Sequence, residues 1–329
     1  MAKKVIQHRI FDLSVTLIFI AVATTLRLVL WPSESESITN VVTPIGGILQ
    51  HWQESVPVIA TILWCVSLFI VGLGVGRQGV RYSIYPAYTL MGIPVFGVVA
   101  SAIVGSDDFL VATTAMVVMF LALKSMLRFI MRSERFSDLS LAMLYFGLLP
   151  LIYTPAAVLY VALPVMTLFV RASWRDLLVS ISSLVLPPAA LCYWNWCAGG
   201  EFSAPAVAIY NSLFSSSDFH FFDSLNVATI LVLGVILVML FCTLGLTISD
   251  RYSIKVKSRV VLRFNALLAV VIAGMFFLPS ATSVQYVLMA TPVALIVPLF
   301  FVRMGFGFTE TMYRLMLLLA AVNIVVMAF

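Results

Sequence analysis

Charge is scarce in this chain. Asp, Glu, Lys and Arg make up 10% of its 329 residues and hydrophobic types 62%, whereas soluble domains carry about a quarter charged residues. No hydrophilic stretch is long enough to bury a core of its own, which leaves one membrane domain spanning residues 1–329. Histidine is scarcer still. Only His8, His51 and His220 occur, and they stand in separate segments, which argues against a histidine-rich metal centre. The four cysteines, Cys65, Cys192, Cys197 and Cys242, lack metal-ligand spacing and read as buried thiols. No phosphate loop, zinc-binding pair, internal repeat or low-complexity tract is present. The net charge of +5 and pI near 9.1 come from residues that follow membrane boundaries, so nucleic acid is not the implied partner.

The longest uncharged stretch organises what is there. Between Leu139 and Val170 no side chain is ionisable, yet Arg132 and Arg135 precede it and Arg171 and Arg175 follow it. One helix of that length would run roughly 48 Å at about 1.5 Å per residue, too long for a hydrocarbon core of about 30 Å. Pro150 and the run Tyr153-Thr154-Pro155 supply a break, because proline removes a backbone donor and restrains its predecessor. The stretch therefore predicts a short helical hairpin at 139–170, its helices covering about 139–150 and 155–170.

With that hairpin, the chain reads as an all-α polytopic transmembrane bundle of about eleven spans with a cytoplasmic N-terminus. The other spans lie near 10–30, 57–76, 82–105, 109–131, 177–197, 226–248, 264–279, 285–302 and 311–329. The N-terminal run lacks a small-residue cleavage site and reads as a retained first span. Every basic residue except Arg27 then falls on the inner side, in agreement with the positive-inside bias. Trp31, Trp52, Trp194 and Trp196 fall at the outer interface, where amphipathic rings are favoured. Two outer loops contain interfacial helices by their apolar spacing, one around Ile45, Ile48, Leu49 and Trp52, the other from Pro205 to Phe214. Pro86, Gly92 and Pro94 predict a kink or break in the third span, and Pro187-Pro188 a break in the seventh.

This topology gathers Glu34, Glu36, Glu54, Asp107, Asp108, Glu201, Asp218 and Asp223 on the outer face. Two readings of them stand side by side. Solvated acidic loops account for them, or Glu34 and Glu36 approach Asp107 and Asp108 to form a carboxylate site that holds a divalent cation or supplies a general base. Asp107 and Asp108 are also suited to cap the fourth span. Arg27, close to the outer surface, either snorkels to headgroups and pairs with Glu34 or Glu36, or binds a lipid phosphate through its planar fork. Tyr153 at the hairpin tip either contacts a lipid-linked substrate or anchors and packs the turn. At the inner side, Arg251, Lys255, Lys257, Arg259 and Arg263 suit anionic membrane lipids.

The run Gly147-Leu148-Leu149-Pro150-Leu151-Ile152-Tyr153-Thr154-Pro155, with Trp174-Arg175-Asp176 and Pro187-Pro188 behind it, resembles the central signature of a family of uncharacterised multi-pass inner-membrane proteins of Bacteroidota-type bacteria. That resemblance covers about residues 82–200 and implies a bacterial inner-membrane location without an assigned activity. More remotely, the layout is similar to that of the C-type polytopic glycosyltransferases: one span, an acidic outer loop with an interfacial helix, many further spans, and a short hairpin before a basic turn. That similarity implies a polyprenyl-phosphate-linked sugar as substrate, Glu34 or Glu36 as catalytic base, Asp107 or Asp108 as its helper and Arg27 as a phosphate contact. The chain departs from that pattern in having no Asp-x-Asp or Glu-Asp pair in the loop. The alternative, from a different class, is a non-enzymatic transporter or a subunit that stabilises a larger complex.

Overall fold

The computed structural model describes residues 10–30, 43–101, 109–133, 135–170, 173–215, 226–249 and 254–326, with the backbone alone at 27–30 and 133. In chain order the helices are α1 (Ile10–Leu30), α2 (Gly46–Ser55), α3 (Pro57–Arg81), α4 (Gly92–Ser101), α5 (Phe109–Arg128), α6 (Phe136–Ile152), α7 (Leu159–Val170) and α8 (Trp174–Cys197). They continue with α9 (Ala204–Phe214), α10 (Val227–Ser249), α11 (Val256–Met275), α12 (Val284–Ile296), α13 (Pro298–Arg303) and α14 (Phe306–Val326). The protein is a multi-pass, all-helical membrane protein. Among the described residues, seven helical stretches are long and apolar enough to cross a bilayer: α3, α5 with its extension, α8, α10, α11, α12 joined to α13, and α14. The other expected spans correspond to α1 and to the shorter apolar helices α4, α6 and α7.

The uncharged stretch breaks where its prolines require. Helix α6 runs past Pro150 and stops at Ile152, Tyr153 turns extended, and a 3-10 turn over Thr154–Val158 carries Pro155 into α7. The hydroxyl of Tyr160 donates to the carbonyl of Gly147 at 2.9 Å. In one straight helix these residues would lie about 20 Å apart at about 1.5 Å per residue, beyond the reach of a tyrosine. The chain therefore doubles back at Tyr153, as the sequence predicts. Helix α8 then runs alongside α6 in the same direction, with Ser140 bonded to Ser183 at 2.8 Å and Gly147 pressed against the Leu184 carbonyl and Pro187.

Two expectations about breaks come out differently. Span seven is not broken, because α8 is continuous through Pro187 and Pro188. Pro188 leaves the Leu184 carbonyl without its i+4 donor, and the bare backbone of Gly147 covers that carbonyl. Span three is broken: residues 82–91 form an irregular, largely buried segment, and helix resumes only over the ten residues of α4. Gly72 and Gly76 of α3 let Phe96 and Ile93 of α4 approach its backbone, the close contact that small residues allow between membrane helices. Further down the chain, α11 starts at Val256, so Arg259 and Arg263 sit on its first turns and not in a loop.

Within the bundle, α12 and α13 form the axis: 94% of their apolar window is buried, against 28% for α8 and α14. Helix α4 is buried along its whole length, and α5, packed against α3, α6 and α12, has 67% of its window buried. One end of the bundle is basic. There α5 continues as a π-helical turn, Phe129–Ser133; Arg132 lies 5.6 Å and Arg81 6.0 Å from the Tyr82 ring centroid; and Arg128 pairs with Asp138 at 3.5 Å. Arg128 and Arg132 thus engage protein groups in addition to any headgroups. Ser258 of α11 donates to the Ser83 carbonyl at 3.5 Å, which brings the start of that helix to the same end.

Candidate functional site

The opposite end is built around the hairpin tip. Helix α2 forms where the spacing of Ile45, Ile48, Leu49 and Trp52 predicts it; Ile45 and Leu49 pack on the core while Ile48 and Trp52 stay exposed. Polar clasps fix it in place. The Ile45 N–H donates to the Leu151 carbonyl at 3.2 Å, and the Thr43 hydroxyl donates to the Ile152 carbonyl at 3.0 Å while accepting from the Gly46 N–H at 2.8 Å. These bonds satisfy two of the last carbonyls of α6, which no helix can satisfy internally. At its other end the Gln53 side-chain oxygen accepts the Leu110 N–H at 3.0 Å, capping the first turn of α5. Helix α9 forms from Ala204 to Phe214, with Val207, Tyr210 and Phe214 exposed on one stripe and Ile209 and Ser212 buried.

Tyr153 is the one expected site residue whose side chain is described. It is buried, and its hydroxyl accepts the Thr282 N–H at 3.0 Å, tying the hairpin tip to the turn between α11 and α12. Glu34, Glu36, Asp107 and Asp108 lie outside the described residues, as do Trp31, Asp218, His220 and Asp223; Arg27 is described in its backbone alone. The expected carboxylate site therefore lies outside the described residues, and among the described residues no group of three or more metal-binding side chains occurs.

Neutral polar side chains stand on the elements that meet at this end: Thr154 on the 3-10 turn, which packs on α11, Ser280 and Thr282 in the turn beyond α11, and Gln285 on the first turn of α12. Thr154, Ser280 and Gln285 are fully buried and Thr282 is 6% exposed. The Gln285 amide donates through Nε2 to the Met275 carbonyl at 2.9 Å, which turns its oxygen the other way. That oxygen, with the hydroxyls of Thr154, Ser280 and Thr282, has no hydrogen-bond partner. A buried polar atom left unpaired costs about 1–3 kcal/mol, and the same state recurs elsewhere in the bundle, at the Trp64 ring nitrogen, the Gln78 amide, the Asn265 oxygen and the Thr291 hydroxyl. Phe276 and Tyr286 flank the turn, their rings 4.8 Å apart.

Sequence reasoning passed over these four residues. Their one signal is the polar run Ser280-Ala281-Thr282-Ser283-Val284-Gln285 between two apolar spans, and nothing local couples it to Thr154. No family model, curated protein or solved structure matches this chain.

Proposed function

We propose that this protein is an enzyme of envelope or glycan biogenesis in a bacterial inner membrane, transferring a group from a lipid-linked substrate at the hairpin-tip face. In this reading the basic end is cytoplasmic, the bundle crosses the membrane about eleven times, and the hairpin tip lies at the outer leaflet. Glu34 or Glu36 acts as base, Asp107 or Asp108 assists it or shares a divalent cation, Arg27 contacts a polyprenyl-type phosphate, and Tyr153 holds the tip against the turn behind it. The observation that carries the reading is the clasp of Thr43 and Ile45 onto the carbonyls of Ile152 and Leu151, which seats the chain that follows the acidic loop on the hairpin tip.

Ion-coupled transport needs ionisable groups inside the membrane, and among the described residues Asp176 is the one buried charged side chain. It stands on the first turn of α8, away from the middle of the bundle. A non-enzymatic transporter or stabilising subunit is the second reading, favoured by the irregular backbone at 82–91, since such backbone at membrane depth accompanies transport paths.

Replacing Glu34 by Gln, Glu36 by Gln and Arg27 by Gln, each alone, and scoring cell-envelope integrity and surface glycan separates the two. Loss of function in at least one carboxylate variant is the expected result; three variants indistinguishable from wild type end the transferase reading.

A further inference from the structure

We propose that Arg77, Arg81 and Arg132 form a binding site for a phosphate monoester, carried by a lipid headgroup or by a soluble metabolite, at the basic end of the bundle. The site lies away from the hairpin tip and stands whether or not the protein transfers a group.

Two separate features bring the three guanidiniums together. Arg81 and Arg132 come from different helical segments, yet both lie over one ring, 6.0 Å and 5.6 Å from the Tyr82 centroid, which holds them within the sum of those distances of each other. Arg77 stands one turn before Arg81 on α3, and residues four apart share a helix face. All three arginines are exposed, whereas Tyr82 beneath them is 6% exposed. Like charges gathered in this way repel one another. Elsewhere in the chain such charge is balanced, Arg128 by Asp138 and Arg314 by Glu310. Among the described residues Arg77, Arg81 and Arg132 have no carboxylate partner, so the balancing anion comes from outside them.

The chemistry of the three groups narrows that anion. Attraction to a ring face uses the charge of a guanidinium and not its N–H donors, so the planar forks stay free to grip pairs of phosphate oxygens. A ring that holds them in advance also reduces the side-chain freedom lost on binding. A monoester offers three terminal oxygens and up to two negative charges, enough for three forks, whereas a diester offers two oxygens and one charge. Depth agrees with a headgroup phosphate. The apolar part of α3, residues 57–76, rises about 30 Å at about 1.5 Å per residue, which matches the hydrocarbon core and leaves Arg77 and Arg81 beyond it. Ser83, next to Tyr82, closes α3 with a φ of 48°, a conformation that favours glycine and a strain of the kind that collects at binding sites. Its exposed hydroxyl adds a neutral donor.

The test titrates the purified full chain in a neutral detergent and counts bound ligand by native mass spectrometry. Dioctanoyl phosphatidic acid is expected to bind saturably. Dioctanoyl phosphatidylcholine, whose phosphate is a diester balanced by its own choline, is not. Arg77→Gln, Arg81→Gln and Arg132→Gln should each weaken phosphatidic acid binding by about threefold or more. Arg81→Lys and Arg132→Lys should weaken it as well, because lysine keeps the charge and loses the fork. Arg175→Gln, an equal loss of charge at an exposed position away from Tyr82, should leave it unchanged. Glycerol 3-phosphate separates the two sources: binding as tight as that of phosphatidic acid assigns the site to a soluble monoester, and binding of phosphatidic acid alone assigns it to a lipid.

The inference is overturned if phosphatidic acid does not bind, if phosphatidylcholine binds equally, or if the glutamine variants at 77, 81 and 132 bind as the wild type does. It is overturned too if Arg175→Gln weakens binding as much as they do, or if both lysine variants match the wild type, since diffuse surface charge then suffices.

Discussion

Gly147 shows how a single residue couples the hairpin to the helix behind it. A β-carbon there would lie well inside van der Waals contact of the Leu184 carbonyl, and that carbonyl belongs to a backbone that α8 cannot move piecemeal. Alanine gains about 1 kcal/mol in helix propensity over glycine, but overpacking against rigid backbone costs about 1–3 kcal/mol and occasionally more. Gly147→Ala is therefore expected to lower the thermal midpoint in detergent, and an unchanged or higher midpoint would show that the two helices separate at little cost. Tyr85 makes a comparable long-range bond: its hydroxyl donates to the Leu295 carbonyl, in the last turn of α12, at 2.7 Å. Tyr85→Phe leaves that buried carbonyl short of a partner, and equilibrium unfolding should register a loss of about 1–3 kcal/mol. Neither constraint is legible in the sequence. Gly147 and Leu184, like Tyr85 and Leu295, are ordinary residues until the fold brings them together.

At the scale of elements the sequence is more readable. Pro150 and Pro155 bracket the reversal at Tyr153 because proline limits backbone geometry wherever it stands, and the apolar spacing in 45–52 and 205–214 marks α2 and α9. The doubled proline of α8 misleads for a physical reason: neighbouring helix backbone covers what it exposes, so the helix survives. The hairpin carries a prediction of its own. In a background freed of its native cysteines, Arg135→Cys just before α6 and Arg175→Cys on the first turn of α8, both at exposed positions, should escape a membrane-impermeant maleimide in intact cells. Ile48→Cys and Val207→Cys, exposed at the other end, should react with it. Opposite labelling of positions 135 and 175 would mean that the fold-back does not return the chain to the same leaflet. The Gln53 cap is testable as well. Gln53→Leu removes the acceptor for the Leu110 N–H, and hydrogen exchange at the start of α5 should accelerate while the basic end of that helix keeps its protection.

Over the whole molecule, composition and charge placement announce a helical membrane protein, and Arg81, Arg128 and Arg132 meet at one end of the bundle. Depth within the bundle is less legible. Mean apolarity does not tell the buried α4 and α12 from the peripheral α8 and α10, since lipid and protein interior select the same residue types. The bond from Thr282 to Tyr153 is illegible in the sequence for the related reason that its partners lie more than a hundred residues apart along the chain. The central position of α12 and α13 bears on biogenesis. The segment that every neighbour leans on is made after eleven other helices, so the ribosome delivers the keystone almost last. Until residues 284–303 arrive, the inner faces of α4, α5 and α11 have only lipid or the insertion machinery to rest against. Nascent chains halted before Val284 should remain clients of membrane quality control, while those halted after Arg303 should begin to resist it.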